Sequence, residues 1–317
     1  MKCFVTGGAG FIGSHLVDEL IKEHSVTVYD NLSLGKESHV SSHLNNNKFK
    51  FIKADLLDFD ALKNAVQGHD VVFHLAANSD ISNNEKTDID LKKGTLATYN
   101  VLEAMRLNNI NKIVFSSTSS IYGESKIKPT PEDYGPLFPI SFYGASKLAC
   151  EGLVSAFCHN FKMQGWIFRF ANIAGDRGTH GVIVDFIKKL EKNSKELEIL
   201  GDGNQAKPYL YVKDCVEGML YGFSNSNEEV NYFNLSSEGS TKVKDISSIL
   251  VDEIGLKNVK FKFTGTARGW SGDVPKVEMD TRKLAKLGWK SRLSSDASLR
   301  KAVKELLKHY KPQFSKA

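Results

Sequence analysis

The sequence predicts an α/β protein with a doubly wound parallel sheet and a smaller C-terminal α/β lobe. Short apolar runs alternate with helical patterns through the first half of the chain, which is typical of βαβ units. The runs at 71–73 and 113–115 are continuously apolar, as in strands that are buried on both faces of a parallel sheet. A glycine-rich loop joins the first predicted strand to the first predicted helix.

The predicted strands are short apolar runs, and the predicted helices repeat apolar residues at helical spacing. In Leu91–Leu107, for example, an apolar stripe includes Leu96, Tyr99, Val101, Leu102 and Met105. The predicted elements are strand Lys2–Thr6, helix Phe11–Glu23, strands Ser25–Tyr29, Phe49–Lys53 and Val71–His74, helix Leu91–Leu107, strand Lys112–Ser116, helix Tyr143–Cys158 and strand Trp166–Phe170.

The pattern becomes less regular after about residue 172, where Gly, Asn, Lys and Asp become more frequent. We therefore predict a dinucleotide-binding domain at 1–172 and a mainly substrate-binding lobe at 173–317. Segments at about 209–235, within Tyr209–Tyr221 and Val230–Leu235, are expected to return to the sheet. The tail after Lys311 is short and polar.

Composition excludes several classes of protein. The 317 residues are 41% hydrophobic and 25% charged, which is ordinary for a globular chain. The net charge is +5 and the basic residues are scattered, so no nucleic-acid partner is expected. No apolar stretch reaches the roughly 20 residues that span a bilayer, so no membrane partner is expected. Gly7 and Gly8 interrupt the apolar run at the N-terminus, so that run is expected to be a short strand and not a signal peptide.

The cysteines and histidines predict a reducing compartment and no metal site. Cys3, Cys150, Cys158 and Cys215 include no CxxC pair, and a chain of this length needs no disulfides, so we expect a cytoplasmic protein. The nine histidines and four cysteines show no ligand spacing.

The strongest motif is the loop GGAGFIG at 7–13, between a strand and a helix. Gly7 allows the tight turn, Gly10 allows close approach of a pyrophosphate, and Gly13 allows close helix–strand packing. The helix N-terminus offers N–H groups to phosphates. Asp30 ends the second strand, 20 positions after Gly10, where a carboxylate accepts from both ribose hydroxyls and repels a 2′-phosphate. NAD is therefore favoured over NADP; the alternative is a plain βα turn with an exposed Asp.

Two further segments follow predicted parallel strands at the edge where such folds bind ligands. After the third strand, the Asp55 carboxylate could accept a hydrogen bond from the adenine amino group, and Leu56 follows it. After the fourth, Leu75, Ala76 and Ala77 let the backbone approach the cofactor. In isolation, each segment is as consistent with simple packing.

The second strong motif is Tyr143-Gly144-Ala145-Ser146-Lys147, which places Tyr143 and Lys147 on one face of a helix. A fixed ammonium is expected to bring the pKa of the phenol down from about 10 towards the working range, so that the pair can take a proton from an alcohol. The hydroxyl cluster at 117–120 could bridge the substrate oxygen and Tyr143. The alternatives are a surface Tyr with a solvated Lys, and a polar turn.

Nine segments together resemble the extended short-chain dehydrogenase/reductase family, and within it the nucleotide-sugar epimerases. They are GGAGFIGSHL, YDNLSLG, ADLLD, HLAA, FSSTSSIYG, YGASKLACE, FRFANIAG, GDGNQAKPYLYVKD and RGWSGDVP. They are most similar to UDP-glucose 4-epimerases of the archaeal and bacterial type. The resemblance implies a Rossmann-type sheet, bound NAD, a UDP-sugar substrate and a homodimer.

The resemblance also implies residue roles. Tyr143 is the expected base, Lys147 its electrostatic partner and ribose contact, and Thr118 the hydroxyl that shares the proton. Besides the glycines and acids above, the residues expected to bind the cofactor are Phe11, Ile12, Asn31, Ser33, Gly35 and Ser116, together with Tyr143 and Lys147. The residues expected to bind the substrate are Asn172, Lys207, Tyr209, Arg268 and Asp273, with Thr118 and Tyr143, and with Val277 limiting the space at the sugar C2 substituent.

Some positions depart from the family pattern. Lys207 stands where many relatives have Arg, and Gly94 stands where an Asn often contacts the cofactor, so weaker retention of NAD is expected. The loop Asn78–Asp88 is unusually polar.

These residues favour C4 epimerisation of UDP-glucose and UDP-galactose. Ser119 and Ser120 replace the Asp-Glu pair of 4,6-dehydratases, and the Glu that decarboxylases usually carry in the same loop is absent. The alternatives are an epimerase or reductase for another nucleotide sugar, such as UDP-GlcNAc or a UDP-uronic acid, and a non-catalytic NAD-sensing protein. The small Val277 is expected to tolerate N-acetyl sugars, although it could simply pack under the lobe.

Overall fold

A computed structural model describes residues 1–78 and 87–310 of the chain. Most of the polar loop Asn78–Asp88, and the tail predicted after Lys311, therefore lie outside the described residues. The chain divides into two compact units, which are described separately. The first unit comprises Met1–Ile121, Phe142–Arg169 and Met219–Phe233, and the second comprises Tyr122–Ser141, Phe170–Gly218 and the chain from Asn234 onward.

Thirteen strands are present in the described residues. They are β1 (Lys2–Thr6), β2 (Ser25–Tyr29), β3 (Phe49–Ile52), β4 (Val71–His74), β5 (Lys112–Thr118), β6 (Gln164–Phe170), β7 (Asn172–Ala174), β8 (Glu196–Ile199), β9 (Ala206–Lys207), β10 (Tyr209–Tyr211), β11 (Val230–Leu235), β12 (Thr241–Lys242) and β13 (Lys260–Phe263). Seven of them form one sheet in the order β11-β6-β5-β4-β1-β2-β3. The ladders β1–β2, β2–β3, β1–β4 and β4–β5 are parallel, and the predicted fold class is confirmed.

Nine α-helices are described. They are α1 (Phe11–Leu20), α2 (Phe59–Val66), α3 (Ala97–Leu107), α4 (Phe142–Phe161), α5 (Val182–Lys192), α6 (Val212–Asn225), α7 (Val243–Ile254), α8 (Arg282–Lys286) and α9 (Ser295–Leu306). Local signals set several of their ends. The Asp58 carboxylate caps α2 by accepting from the N–H of Ala61, and α7 ends at Gly255, whose φ of +81° is left-handed. None of the described helices is long and apolar enough to span a membrane.

One predicted helix begins irregularly. Leu91–Leu107 was expected to be a single regular helix, but Leu91–Leu96 is a π-helical turn that leads into α3. Gly94 lies in this turn and packs closely on α4, because a Cβ there would lie 2.2 Å from the Ser146 hydroxyl. The same hydroxyl donates to the carbonyl of Asp90 at 2.7 Å. The π turn is therefore held closely against α4, and π turns of this kind are frequent at functional sites.

Each unit has its own apolar core. In the first, Phe4, Val72 and Phe115 of the central strands pack with residues of α3 and α4. In the second, α5, α7 and α9 enclose β8 and β10. Three two-stranded sheets, β7–β10, β9–β12 and β8–β13, lie outside the large sheet. Of the two segments that were expected to return to the large sheet, Val230–Leu235 joins it as β11. In the other, Tyr209–Tyr211 pairs with β7 instead, while its last residues from Met219 belong to the first unit, which contains that sheet.

Candidate active site

The glycine loop folds tightly against the strands on either side of it. Gly7 has a φ of +68°, and a Cβ there would lie 2.7 Å from the backbone nitrogen of Ala76. The N–H of Gly10 donates to the carbonyl of Gly7 at 3.0 Å, and a Cβ on Gly13 would lie 2.1 Å from that carbonyl oxygen. No side chain caps the N-terminus of α1. The loop is therefore a backbone cradle that suits a diphosphate.

Asp30 is built into the same cradle. One carboxylate oxygen accepts from the N–H of Ala9 at 3.0 Å, and the other accepts from the N–H of Leu32 at 2.8 Å. Burial raises the pKa of this carboxyl group, and its two backbone hydrogen bonds oppose that rise. Gly35 allows the close approach, because a Cβ there would lie 3.0 Å from the carboxylate. Asp30 is thus held in one place where it can meet the ribose hydroxyls of NAD.

A cleft at the carboxyl ends of β1 to β4 gathers most of the predicted cofactor residues. The predicted residues that line it are Gly7, Gly10, Asp30, Asn31, Ser33, Gly35, Asp55, Leu56, Leu75, Ala76 and Ala77. The Asn31 amide donates to the Asp55 carboxylate at 2.8 Å, which joins the ends of β2 and β3. Phe11, Ile12 and Gly13 form the first turn of α1, while Ser116 lies on β5, and none of these four lines this cleft.

Six other residues line the cleft without having been predicted: Tyr29, Leu34, Ala54, Leu57, Lys93 and Ala97. Lys93 carries the one basic side chain among the described lining residues. It comes from the π turn, which the helical periodicity of the sequence does not reveal. The cleft therefore offers two carboxylates, one ammonium and a backbone cradle, and these groups fit a dinucleotide.

Thr118, Tyr143 and Lys147 come together where β5 ends beside α4. Thr118 is the last residue of β5, and its hydroxyl forms a hydrogen bond with the Tyr143 phenol. The Lys147 ammonium donates to the carbonyl of Ser116 at 2.6 Å and lies 4.6 Å from the centre of the Phe115 ring. We refer to Thr118, Tyr143 and Lys147 as the proton-transfer group. This arrangement can accept a proton from an alcohol and hold a positive charge beside it.

The predicted fall in the pKa of Tyr143 is wrong for this structure. Burial raises the pKa of the phenol to about 12, while the hydrogen bond from Thr118 acts in the opposite direction. Burial also lowers the pKa of the Lys147 ammonium to about 8. Desolvation is the largest cause in both residues, because it disfavours the charged form of each.

The Thr118 hydroxyl also contacts the turn that follows it. It donates to the Ser120 hydroxyl at 3.2 Å and accepts from the backbone N–H of Ser120 at 3.2 Å. Ser119 and Ser120 form a short 3₁₀ turn with Ile121 and Tyr122. The residues directly after Thr118 thus supply hydroxyl groups and no carboxyl group.

The residues predicted to bind the substrate nucleotide form two groups in the second unit. Lys207 is paired with the Asp273 carboxylate, which also accepts from the N–H of Gly269 at 3.1 Å. Arg268 donates to the carbonyl of Asp273 at 2.7 Å and to the Glu124 carboxylate at 2.6 Å. Glu124 was not predicted, since nothing in its local sequence marks it.

Asn172 and Tyr209 form the other group. Their strands β7 and β10 pair side by side, and their side chains share a hydrogen bond. Val277 lies beside β9, which carries Lys207, because its N–H donates to the carbonyl of Ala206 at 3.0 Å. No cluster of His, Cys, Asp or Glu that could hold a metal ion is found among residues 1–78 and 87–310.

Known proteins resemble this chain in sequence and in fold. The model of the NAD dependent epimerase/dehydratase family matches residues 3–236. A Methanocaldococcus jannaschii protein with the provisional name UDP-glucose 4-epimerase is 35% identical over 311 residues, 94% of this chain and 96% of that protein. A solved UDP-galactose 4-epimerase is 36% identical with a TM-score of 0.87, covering 98% of this chain and 99% of that one.

Other solved relatives are named for reactions on different nucleotide sugars. The UDP-N-acetylglucosamine 4-epimerase of Methanobrevibacter ruminantium is 30% identical with a TM-score of 0.84, covering 97% of this chain and 98% of that one. The UDP-glucuronic acid 4-epimerase of Bacillus cereus, solved with UDP-glucuronic acid and NAD, is 29% identical with a TM-score of 0.87, covering 98% and 100%. The chain belongs to the NAD-dependent epimerase/dehydratase family, whose members act on nucleotide sugars, and its cofactor is NAD.

Proposed function

We propose that this enzyme interconverts UDP-glucose and UDP-galactose by epimerisation at C4 of the sugar. The observation that carries the proposal is the proton-transfer group at the end of β5, followed by two serines in place of acidic residues. Relatives that are named for the same reaction, at 35% and 36% identity, support it.

The residues of the chain account for the proton movements. Tyr143 accepts the proton of the sugar O4 hydroxyl, and Thr118 shares that proton through its hydrogen bond to the phenol. Tyr143 must be a phenolate to accept this proton, and the Lys147 ammonium on the same helix face favours that charged form before the transfer. NAD, held by the glycine loop and Asp30, would supply the hydride acceptor and donor that inversion at C4 requires. The proton then returns from Tyr143 to O4, and the cycle is redox-neutral.

The hydroxyl groups beside Thr118 argue against dehydration. A 4,6-dehydratase must protonate a leaving hydroxyl, and the hydroxyls of Ser119 and Ser120 are far weaker acids than a carboxyl group. A second candidate is the same epimerisation of UDP-GlcNAc, which the small Val277 and the Methanobrevibacter relative favour. UDP-uronic acids, a reductase reaction and a non-catalytic NAD-sensing role are the further alternatives.

We further propose how the rest of the chain serves this reaction. Lys207, Tyr209, Arg268 and Asp273 of the second unit hold the uridine diphosphate, and Asn172 contacts the sugar diphosphate. The free, buried thiols of all four cysteines suit the reducing cytoplasm.

A homodimer is proposed from the α3–α4 apolar surface, which we define as Leu96, Tyr99, Leu107 and Phe161. These four side chains are between 42% and 47% exposed. Tyr99 and Phe161 both lie against α4 residue Phe157, so the surface is continuous across the two helices. Large exposed apolar patches of this kind mark association surfaces.

The deciding experiment is incubation of the enzyme with a panel of UDP-sugars, followed by separation of the products. We expect interconversion of UDP-glucose and UDP-galactose without added NADH and with no net absorbance change at the reduced-nicotinamide band. Tyr143→Phe should abolish turnover and leave NAD bound. A requirement for stoichiometric NADH would identify a reductase, and near-normal activity of Tyr143→Phe would overturn the mechanism.

A further inference from the structure

A buried ion pair lies directly behind the proton-transfer group. The Arg169 guanidinium on β6 donates to both oxygens of the Glu151 carboxylate, at 3.0 Å from Nε and 2.8 Å from Nη2. Both side chains are 8% exposed. The Ser117 hydroxyl on β5 donates to the same carboxylate at 2.5 Å. Three elements, β5, β6 and α4, therefore meet at Glu151.

Three successive residues of β5 each contact a different turn of α4. The Ser116 carbonyl accepts from Lys147, the Ser117 hydroxyl donates to Glu151, and the Thr118 hydroxyl bonds Tyr143. Positions 143, 147 and 151 are spaced four residues apart, so they share one face of the helix. Two of these contacts involve the proton-transfer group, whereas the contact at Glu151 has no part in the chemistry.

We propose that Glu151 is a positioning residue, which fixes the register of α4 on the end of β5 and so aligns the proton-transfer group. Arg169 holds the carboxylate by a bidentate pair, which is more directional than a single ion contact. Burial of an ion pair is weak evidence for a stabilising role, since an apolar packing of similar volume is often equally stable. The contacts of Glu151 with Arg169 and Ser117 instead favour a role in aligning the proton-transfer group. This inference rests on the proposed function, because it concerns the same catalytic group.

The pKa of Lys147 is a measurable property that depends on Glu151. The groups that face this ammonium are Glu151, Cys150 and Asp90, which raise its pKa, and His74, whose own pKa the ammonium lowers. Burial lowers the pKa of His74 to about 3 and raises that of the Cys150 thiol, so both are neutral near pH 7. Loss of the Glu151 charge therefore removes one of two carboxylates that hold the proton on Lys147.

The test is Glu151→Gln in the NAD-loaded enzyme, with kcat and KM measured from pH 6 to 9. A misalignment of about 1 Å can cost on the order of a hundredfold in rate, so we expect kcat to fall by roughly 10- to 100-fold with little change in KM. The alkaline limb of the kcat profile should move to lower pH. Glu19→Gln, which removes the same charge from an exposed pair with Lys22 on α1, is the matched control and should behave as wild type.

Ser117→Ala keeps the inference testable if Glu151→Gln does not fold, because it leaves the ion pair intact. It should lower kcat severalfold while the thermal midpoint stays close to that of wild type. If the variants lose thermal stability but keep the wild-type kcat and the wild-type alkaline limb of the kcat profile, the inference is overturned. Glu151 would then have only a structural role.

A second readout separates this inference from the proposed function. The titration of Lys147 can be followed by ¹⁵N-lysine NMR, with the resonance assigned by its loss in Lys147→Met, and this requires no substrate. Glu151→Gln should lower the titration midpoint, and an unchanged midpoint would count against the inference. A wild-type enzyme that converts no UDP-sugar would instead overturn the proposed function while leaving the NMR result informative.

Discussion

Asp30→Asn should relax the choice between NAD and NADP. The Asp30 carboxylate cannot move away from a 2′-phosphate, because the N–H groups of Ala9 and Leu32 hold both of its oxygens. Two like charges about 5 Å apart in a partly dry site, with an effective dielectric constant near 20, repel by about 3 kcal/mol, or on the order of a hundredfold in affinity. Removal of the charge should narrow the NAD/NADP affinity ratio by at least roughly tenfold.

The same substitution should cost stability. One face of the Asn amide is an NH₂ group, so one of the two backbone N–H groups loses its acceptor, at a cost of about 1–3 kcal/mol. Calorimetric titration with both dinucleotides, and urea denaturation, measure the two effects. Asp55→Asn is the matched control, since it neutralises another carboxylate of the cleft and should leave the NAD/NADP ratio unchanged. Equal affinities of the wild type for NAD and NADP, or an unchanged ratio in Asp30→Asn, would refute the reasoning.

Three other predictions follow from the site and its surroundings. The Lys147 ammonium, with a pKa of about 8, is about 90% protonated at pH 7 and about 10% at pH 9, so kcat should fall about tenfold over that range; a flat profile would contradict its role. Tyr99→Glu should convert a dimer to a monomer by light scattering at micromolar concentration, and a wild-type monomer would refute the dimer. Val277→Tyr should lower activity on UDP-GlcNAc relative to UDP-glucose, since overpacking costs about 1–3 kcal/mol; an unchanged ratio means that Val277 is not the gate.

The sequence was sufficient for features that depend on local spacing. The glycine loop, Asp30 and the residues after β3 and β4 fall at the carboxyl ends of successive parallel strands, and each could be placed by counting from the strand that precedes it. Tyr143 and Lys147 could be placed on one helix face for the same reason. The large sheet could also be predicted from the sequence, because continuously apolar strands alternate with helical segments.

Features that depend on tertiary packing could not be predicted from the sequence. The pairing of Tyr209–Tyr211 with β7 could not be predicted, because it depends on contacts distant in sequence. The pKa of Tyr143 was misjudged because burial, which the sequence does not show, outweighs the effect expected from a nearby ammonium. Glu151 and Arg169 gave no signal either, since they come from α4 and β6 and meet only in the folded unit.

Gly94 shows how such packing changes the meaning of a departure from the family pattern. A missing Asn suggests only one lost hydrogen bond to the cofactor. In the structure, however, a Cβ at this position would lie 2.2 Å from the Ser146 hydroxyl, so a side chain here requires the Ser146 side chain or the π turn to move. The same turn brings Lys93 to the cleft as its one basic side chain among the described residues. We therefore expect retention of NAD to depend on the other groups that line the cleft, namely the glycine cradle, Asp30 and Lys93, and not on a side chain at position 94.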